Sequence, residues 1–182
     1  MTLPAAGPLV VVGVGNILLR DDAIGVRVVD RLRALAEHDP VALPADTRLV
    51  DGGTLGLDLL RTVRGARGLV IIDAMALGDP VGTVTVRHGD AVVAAGSGRH
   101  GPNSIGELLA IARLMGWLPE PVSLVGIEVS EIDFGVELSA PIANALPAAV
   151  DAVRRELRRM DEQVAKDLVG DRAASRVTGA TA

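Results

Sequence analysis

The sequence predicts an α/β fold. It is read as a single three-layer domain with a mostly parallel, twisted sheet of about five strands flanked by helices, plus one antiparallel edge strand. Three observations predict this. Short aliphatic, β-branched runs recur at 9–12, 69–72 and 122–127, each bounded by glycine, proline or a carboxylate. Segments whose apolar residues fall at helical spacing separate them. The chain has 182 residues, the size of one ordinary domain with a full core.

Leu9 to Val12 reads as a buried first strand, ended by the turn Gly13-Val14-Gly15-Asn16. Two adjacent carboxylates, Asp21 and Asp22, precede a helix over 22–37, with Ile24, Val28, Val29, Leu32 and Leu35 on one stripe. Pro40 closes that helix at Asp39. Thr47 to Val50 forms a second strand ending in Asp51-Gly52-Gly53-Thr54, and Leu55 to Val63 a short helix with Thr54 as its cap. Leu69 to Ile72 is the clearest buried strand and ends in Asp73. Residues 82–87 alternate as an edge strand does. Residues 88–104, rich in glycine and small residues, are read as a long loop. A helix over 104–115, a strand over 122–127 and a last helix over 141–158 complete the domain, with Pro147 as a kink or the true start of that helix. The domain is read as 1–159, with a frayed tail over 160–182 where the periodicity gives way to polar and small residues.

Composition narrows the function. Hydrophobic residues make up 49% and charged residues 23%, which is globular and not disordered. A net charge of −5, with no basic cluster interleaved with aromatics, argues against a nucleic-acid partner. The absence of cysteine removes thiol catalysis, disulfides and zinc–thiolate sites together. The start MTLPAAGP lacks the basic flank of a signal peptide, and no apolar run approaches ~18 residues, so a cytoplasmic protein with no membrane partner is expected.

Three places carry possible chemistry. The Gly13–Asn16 turn with Asp22 lies beyond the carboxyl end of a first strand, where ligands bind in open α/β sheets. It is a poor dinucleotide fingerprint, because Leu18 occupies the place of the third glycine and two carboxylates face the phosphates. Helix capping is the plainer reading of Asp21 and Asp22. Asp73 emerges from the most hydrophobic strand, beside Asp22 if their strands are neighbours, and competes with a loop cap or salt bridge. His100 is flanked by Arg99 and Gly101-Pro102-Asn103 in the long loop, where a solvated histidine is the ordinary case. One imidazole and two carboxylates together make an open N/O site suited to nickel or zinc.

The run from Gly13 through Asn16, Arg20, Asp21 and Asp22 to Val26 resembles the amino-terminal signature of the nickel–iron hydrogenase maturation endopeptidases. Asp51-Gly52-Gly53-Thr54-Leu55-Gly56 is similar to a second motif, and Val70 to Ala74 followed by Pro80 to Thr83 to a third. His100-Gly101-Pro102-Asn103, and Val125 to Glu128 with Phe134 to Ser139, resemble the remaining blocks, so the likeness spans about 9–157. It implies an enzyme that removes a carboxy-terminal extension from the hydrogenase large-subunit precursor after nickel insertion. Nickel would be supplied by the substrate, with no organic cofactor. It implies Asp22, Asp73 and His100 as nickel-sensing ligands. Asp51, with Gly52, Gly53, Thr54, Gly13 and Asn16, is implied in substrate recognition. Two other classes are weighed beside it: a small-molecule or nucleotide-binding domain using Gly13 and Gly15 as a phosphate turn, and a non-catalytic maturation chaperone or scaffold.

Overall fold

The computed structural model describes residues 7–96, 105–130 and 132–178. A five-stranded sheet has the order β2-β1-β3-β5-β4. Its strands are β1 (Leu9–Val14), β2 (Thr47–Gly53), β3 (Gly68–Met75), β4 (Val84–His88) and β5 (Val122–Glu128). β1 pairs in parallel with both β2 and β3, and β3 with β5. Only β4 runs antiparallel, along β5. The three apolar runs are thus the central strands, and the alternating one is at an edge. All four parallel strands end at one margin of the sheet, its carboxyl edge.

Successive side chains of a strand point to opposite faces, and each face of this sheet has its own core. Leu9, Val11, Val70, Ile72 and Val125 pack beneath α1 (Ile24–His38) and α5 (Ala140–Thr178). Val10, Val12, Leu69, Ile71 and Leu124 pack beneath α2 (Leu60–Val63), α3 (Asp90–Gly96) and α4 (Ile105–Leu114). The cores are almost wholly aliphatic. The single tryptophan, Trp117, lies past the end of α4, its ring 4.8 Å from the Arg64 guanidinium at the end of α2.

Several elements differ from the sequence reading. β3 runs on through Asp73 to Met75, because Asp73, Ala74 and Met75 pair with Gly126, Ile127 and Glu128. Residues 90–96 are helical where a loop is expected. Thr54 caps no helix: the turn at Gly56–Leu59 is preceded by Leu55 and has no side-chain cap. α5 continues through Pro147 and far past Arg158. Met160 and Val164 are buried and extend the stripe of Val153 and Leu157 at the same spacing, so the expected tail starts within a packed part of the helix.

The seating of α1 depends on two glycines. A Cβ on Gly13 would lie 2.2 Å from the Gly25 carbonyl oxygen. A Cβ on Gly25 would lie 2.2 Å from the Val14 carbonyl oxygen and 2.5 Å from that of Ile72. Helix and sheet therefore touch backbone to backbone. The glycine missing at position 18 is supplied from the helix instead, by Gly25.

At the opposite, amino edge, Glu156 of α5 ties three elements together. Its Oε2 accepts hydrogen bonds from Ser123 Oγ at 2.8 Å, His88 Nε2 at 3.0 Å and Arg159 Nη2 at 2.8 Å. Burial pushes the carboxyl up, but the bonds from Arg159, Ser123 and His88 and the arginine's charge outweigh it, so its pKa falls below the ordinary glutamate value.

Two predictions follow from this packing. Gly25→Ala is expected to destabilise the fold by about 2 kcal/mol or more, since backbone on both sides blocks the methyl group; urea denaturation measures it, and an unchanged midpoint would remove the interlock. Because Glu156 is more acidic folded than unfolded, its contribution is complete above the ordinary glutamate range and lost as pH falls through its lowered value. Melting temperatures of Glu156→Gln should therefore fall below wild type at pH 7 and converge with it under acid; a constant gap would contradict the linkage.

Candidate active site

The site forms where the loops after β1, β2 and β3 meet at the carboxyl edge. The turn after β1 is held by its own chain. Gly15 has φ +134°, and a Cβ there would lie 1.8 Å from the Asp22 carbonyl oxygen. Gly15 N donates to the Gly53 carbonyl at 3.0 Å, joining this turn to the end of β2. The close approach that glycine permits is thus used by protein backbone, and the phosphate-turn reading loses its vacancy. Gly52 behaves alike, since a Cβ there would lie 2.7 Å from Val12 Cγ1.

The two adjacent carboxylates divide their work. Asp21 is buried, and its oxygens accept from the backbone N and the Oγ of Ser139, both at 2.7 Å. Asp22 is half-buried, and its Oδ2 accepts from Asn16 N at 2.7 Å. Neither side chain caps α1 or the 3-10 turn at Arg20–Ala23 that leads into it. The capping expectation is overturned, because each carboxylate has a stronger claim elsewhere.

Asp73 lies in β3, next to β1, on the face covered by α3 and α4: its neighbours in alternation, Leu69 and Ile71, belong to that core. It is 5% exposed. Burial pushes its carboxyl up, the Asp22 carboxylate pushes it further, and the Ala74 N–H pulls it partly back; the outcome is about 7. A solvated pair of ligands is the wrong picture for this aspartate. Asp73 is buried near a second acid, and both effects favour its protonated form. A cation placed between the two oxygens would remove both penalties.

The other expected residues separate by exposure. Asp51 and Thr54 are exposed, and Asp51 Oδ1 accepts from Gly53 N at 2.9 Å, shaping the turn that displays them. Gly13 and Gly52 are buried, and their missing Cβ atoms let α1 and β2 pack closely against β1. Asn16 is half-buried, its Oδ1 accepting from Leu18 N at 3.0 Å. His100 lies outside the described residues; the helices on either side of it, α3 and α4, cover the face that carries Asp73. Among the described residues, no group of three histidines, cysteines or carboxylates gathers as a metal site.

Glu128 was no candidate by sequence. It is buried at the end of β5, and its carboxylate accepts from Leu77 N and Gly78 N, each at 2.8 Å, fixing the loop that leaves Asp73. Its signals in the sequence are its position, a carboxylate directly after a buried run as at Asp73, and its place in the block Val125 to Glu128.

A profile described as hydrogenase maturation protease matches residues 26–156. The chain belongs to the hydrogenase maturation protease family. It is 36% identical over 170 residues to the hydrogenase expression/formation protein HupD of Rhodobacter capsulatus, covering 90% of this chain and 79% of that one. It is 29% identical to the hydrogenase 2 maturation protease of Escherichia coli, covering 90% and 99%. Among solved structures, the hydrogenase maturating endopeptidase HybD from Escherichia coli superposes with a TM-score of 0.75 at 29% identity, covering 84% of this chain and 93% of that one. The chain is therefore a peptidase of this family, with its sheet and flanking helices. No helix among the described residues is long and apolar enough to cross a membrane.

The raised pKa of Asp73 has a consequence for stability. A folded-state value of about 7 against an ordinary 3.8 means that the native state keeps a proton which the unfolded chain releases. Stability therefore falls as pH rises between those values, and the deficit persists above them. Asp73→Asn removes it. The variant is expected to match wild type near pH 4 and to exceed it at pH 8 by at least about 1 kcal/mol, roughly 2–4 °C in Tm. A variant less stable than wild type at pH 8 would contradict the burial of an acid under strain.

Proposed function

We propose that this protease removes the carboxy-terminal extension of a nickel–iron hydrogenase large-subunit precursor once nickel has been inserted, and that it reads the bound nickel through Asp22, Asp73 and His100. The observation that carries the reading is the meeting of Asp22, in the 3-10 turn before α1, with Asp73, near the end of β3, where Asp73 is forced towards its protonated form by burial and by its neighbour. Such a pair is poorly placed alone and well placed around a divalent cation. Imidazole with carboxylates suits nickel, and His100 supplies the imidazole from the segment between α3 and α4. The nickel belongs to the substrate and no organic cofactor takes part. Asp51 and Thr54, exposed at the end of β2 and just after it, contact the precursor beside the metal. Nickel held against this site fixes the scissile bond relative to the protease.

The test is incubation of purified protein with nickel-loaded and nickel-free precursor, followed by mass spectrometry of the large subunit. Shortening should occur only with nickel. Asp22→Asn, Asp73→Asn and His100→Ala should each slow it by about 100-fold or more, as loss of a ligand does, while circular dichroism stays native. Asp22→Glu keeps the ligand oxygens and should retain activity. Processing of nickel-free precursor at the wild-type rate would defeat the metal-reading role.

A further inference from the structure

The loop that presents Asp22 also presents two apolar side chains to solvent, Ile17 at 48% and Leu18 at 58% exposure. Beside them stands the segment after β5, where Phe134 is 91% and Val136 59% exposed. Phe134 is the chain's only phenylalanine. A loop that merely connects β5 to α5 gains nothing from an aromatic ring in water.

The two segments are clipped together by backbone. Arg20 N donates to the Gly135 carbonyl and Gly135 N to the Leu18 carbonyl, both at 2.9 Å. Ser139, at the segment's far end, is held by both oxygens of Asp21, and Arg27 Nη2 donates to the Val136 carbonyl at 3.0 Å. The clip has an uncommon backbone. Arg20 adopts φ +43°, a conformation that L side chains rarely take, and its aliphatic stem lies where a Cβ on Gly135 would be 2.6 Å from Arg20 Cγ. So the apolar groups are presented on a braced platform contiguous with the carboxylate site, Leu18 being four residues from Asp22. Rigid, apolar and exposed is the character of an interface anchor, because little ordering entropy is lost on docking.

We infer that Ile17, Leu18, Phe134 and Val136 form a docking platform for an apolar segment of the precursor polypeptide adjoining its scissile bond. The inference rests on the processing role proposed above. The occupant follows from continuity: a chain whose metal lies between Asp22 and Asp73 passes over the β1 loop, and that loop offers it the exposed aliphatic side chains of Ile17 and Leu18. The buried Asp21 is then a positioning residue, holding the second half of the platform against the first.

Affinity and turnover separate this platform from the reading beneath it. Fluorescently labelled protein is titrated with nickel-loaded precursor, and cleavage is followed in parallel. Phe134→Ser and Leu18→Ser should each weaken binding about tenfold or more and raise KM alike with kcat unchanged, since loss of an aromatic or leucine burial is of that size. Phe134→Leu should stay within about twofold to threefold of wild type. Both positions are exposed, so Tm should be unaltered. Wild-type Kd and KM in both serine variants would overturn the platform and leave the processing role standing. A wild type that binds but never cuts would overturn the processing role, and weakened binding in the serine variants would then still support the platform. Loss of a homodimer on gel filtration, with precursor affinity untouched, would assign the face to a second copy and overturn the proposal.

Discussion

The contact on which the rest of the structure depends is the backbone-to-backbone seat of α1 on β1 and β3. Gly13 and Gly25 remove the two Cβ atoms that would hold helix and sheet apart. With the helix drawn in this far, the 3-10 turn before it comes down onto the Gly15 backbone, and Asp22 reaches the Asn16 N–H. The same descent puts Asp22 near enough for its charge to push the Asp73 carboxyl up. No direct tie between the two aspartates is needed. The carboxylate pair is a by-product of close packing in a place where packing leaves nothing else to do with it.

Two acids adjacent in sequence would ordinarily point into the same solvent and mean the same thing. Here, burial divides them. Asp21 turns inward and is satisfied by Ser139, while Asp22 stays at the edge with an oxygen bonded to its own loop. A fully satisfied carboxylate is a structural element, and a partly satisfied one keeps acceptor capacity for a further partner. Glu128 shows the first behaviour again, holding the loop after β3 by two backbone N–H groups. The carboxyl edge thus contains several acids, of which Asp73 is distinguished by burial beside a second carboxylate, against which the Ala74 N–H compensates only in part.

Much of the fold was legible because the central strands are β-branched runs with charged or glycine stops, and such runs have few other uses. Asp73 was legible for the same reason: an acid beside the most apolar strand has to be accounted for. What was hidden lay in long-range partners. Ser139 is 118 residues from Asp21, and no local pattern announces the bond. The role of Gly25 rests on backbone it meets from two strands, which no local pattern shows. The extension of β3 through Asp73 comes from its neighbour β5 and not from its own composition. The helix at Asp90–Gly96 is hidden because its 7 residues are too few, and too uniformly small and apolar, to show a periodic stripe. Residues 160 and 164 continue an apolar stripe across a polar background that masks it by eye.

The position of Trp117 has a practical side. It stacks with Arg64 where α2 ends and β3 is about to begin, which is the amino edge of the sheet, and the chain contains no tyrosine. Its emission is therefore a gauge of whether α4 is seated, reporting melting or denaturant unfolding with one clean chromophore. Events among the loops beyond the opposite ends of the strands pass unseen by it. Trp117 and the candidate carboxylate site lie at opposite edges of the sheet, so an occupancy measurement calls for a dye placed on the other side.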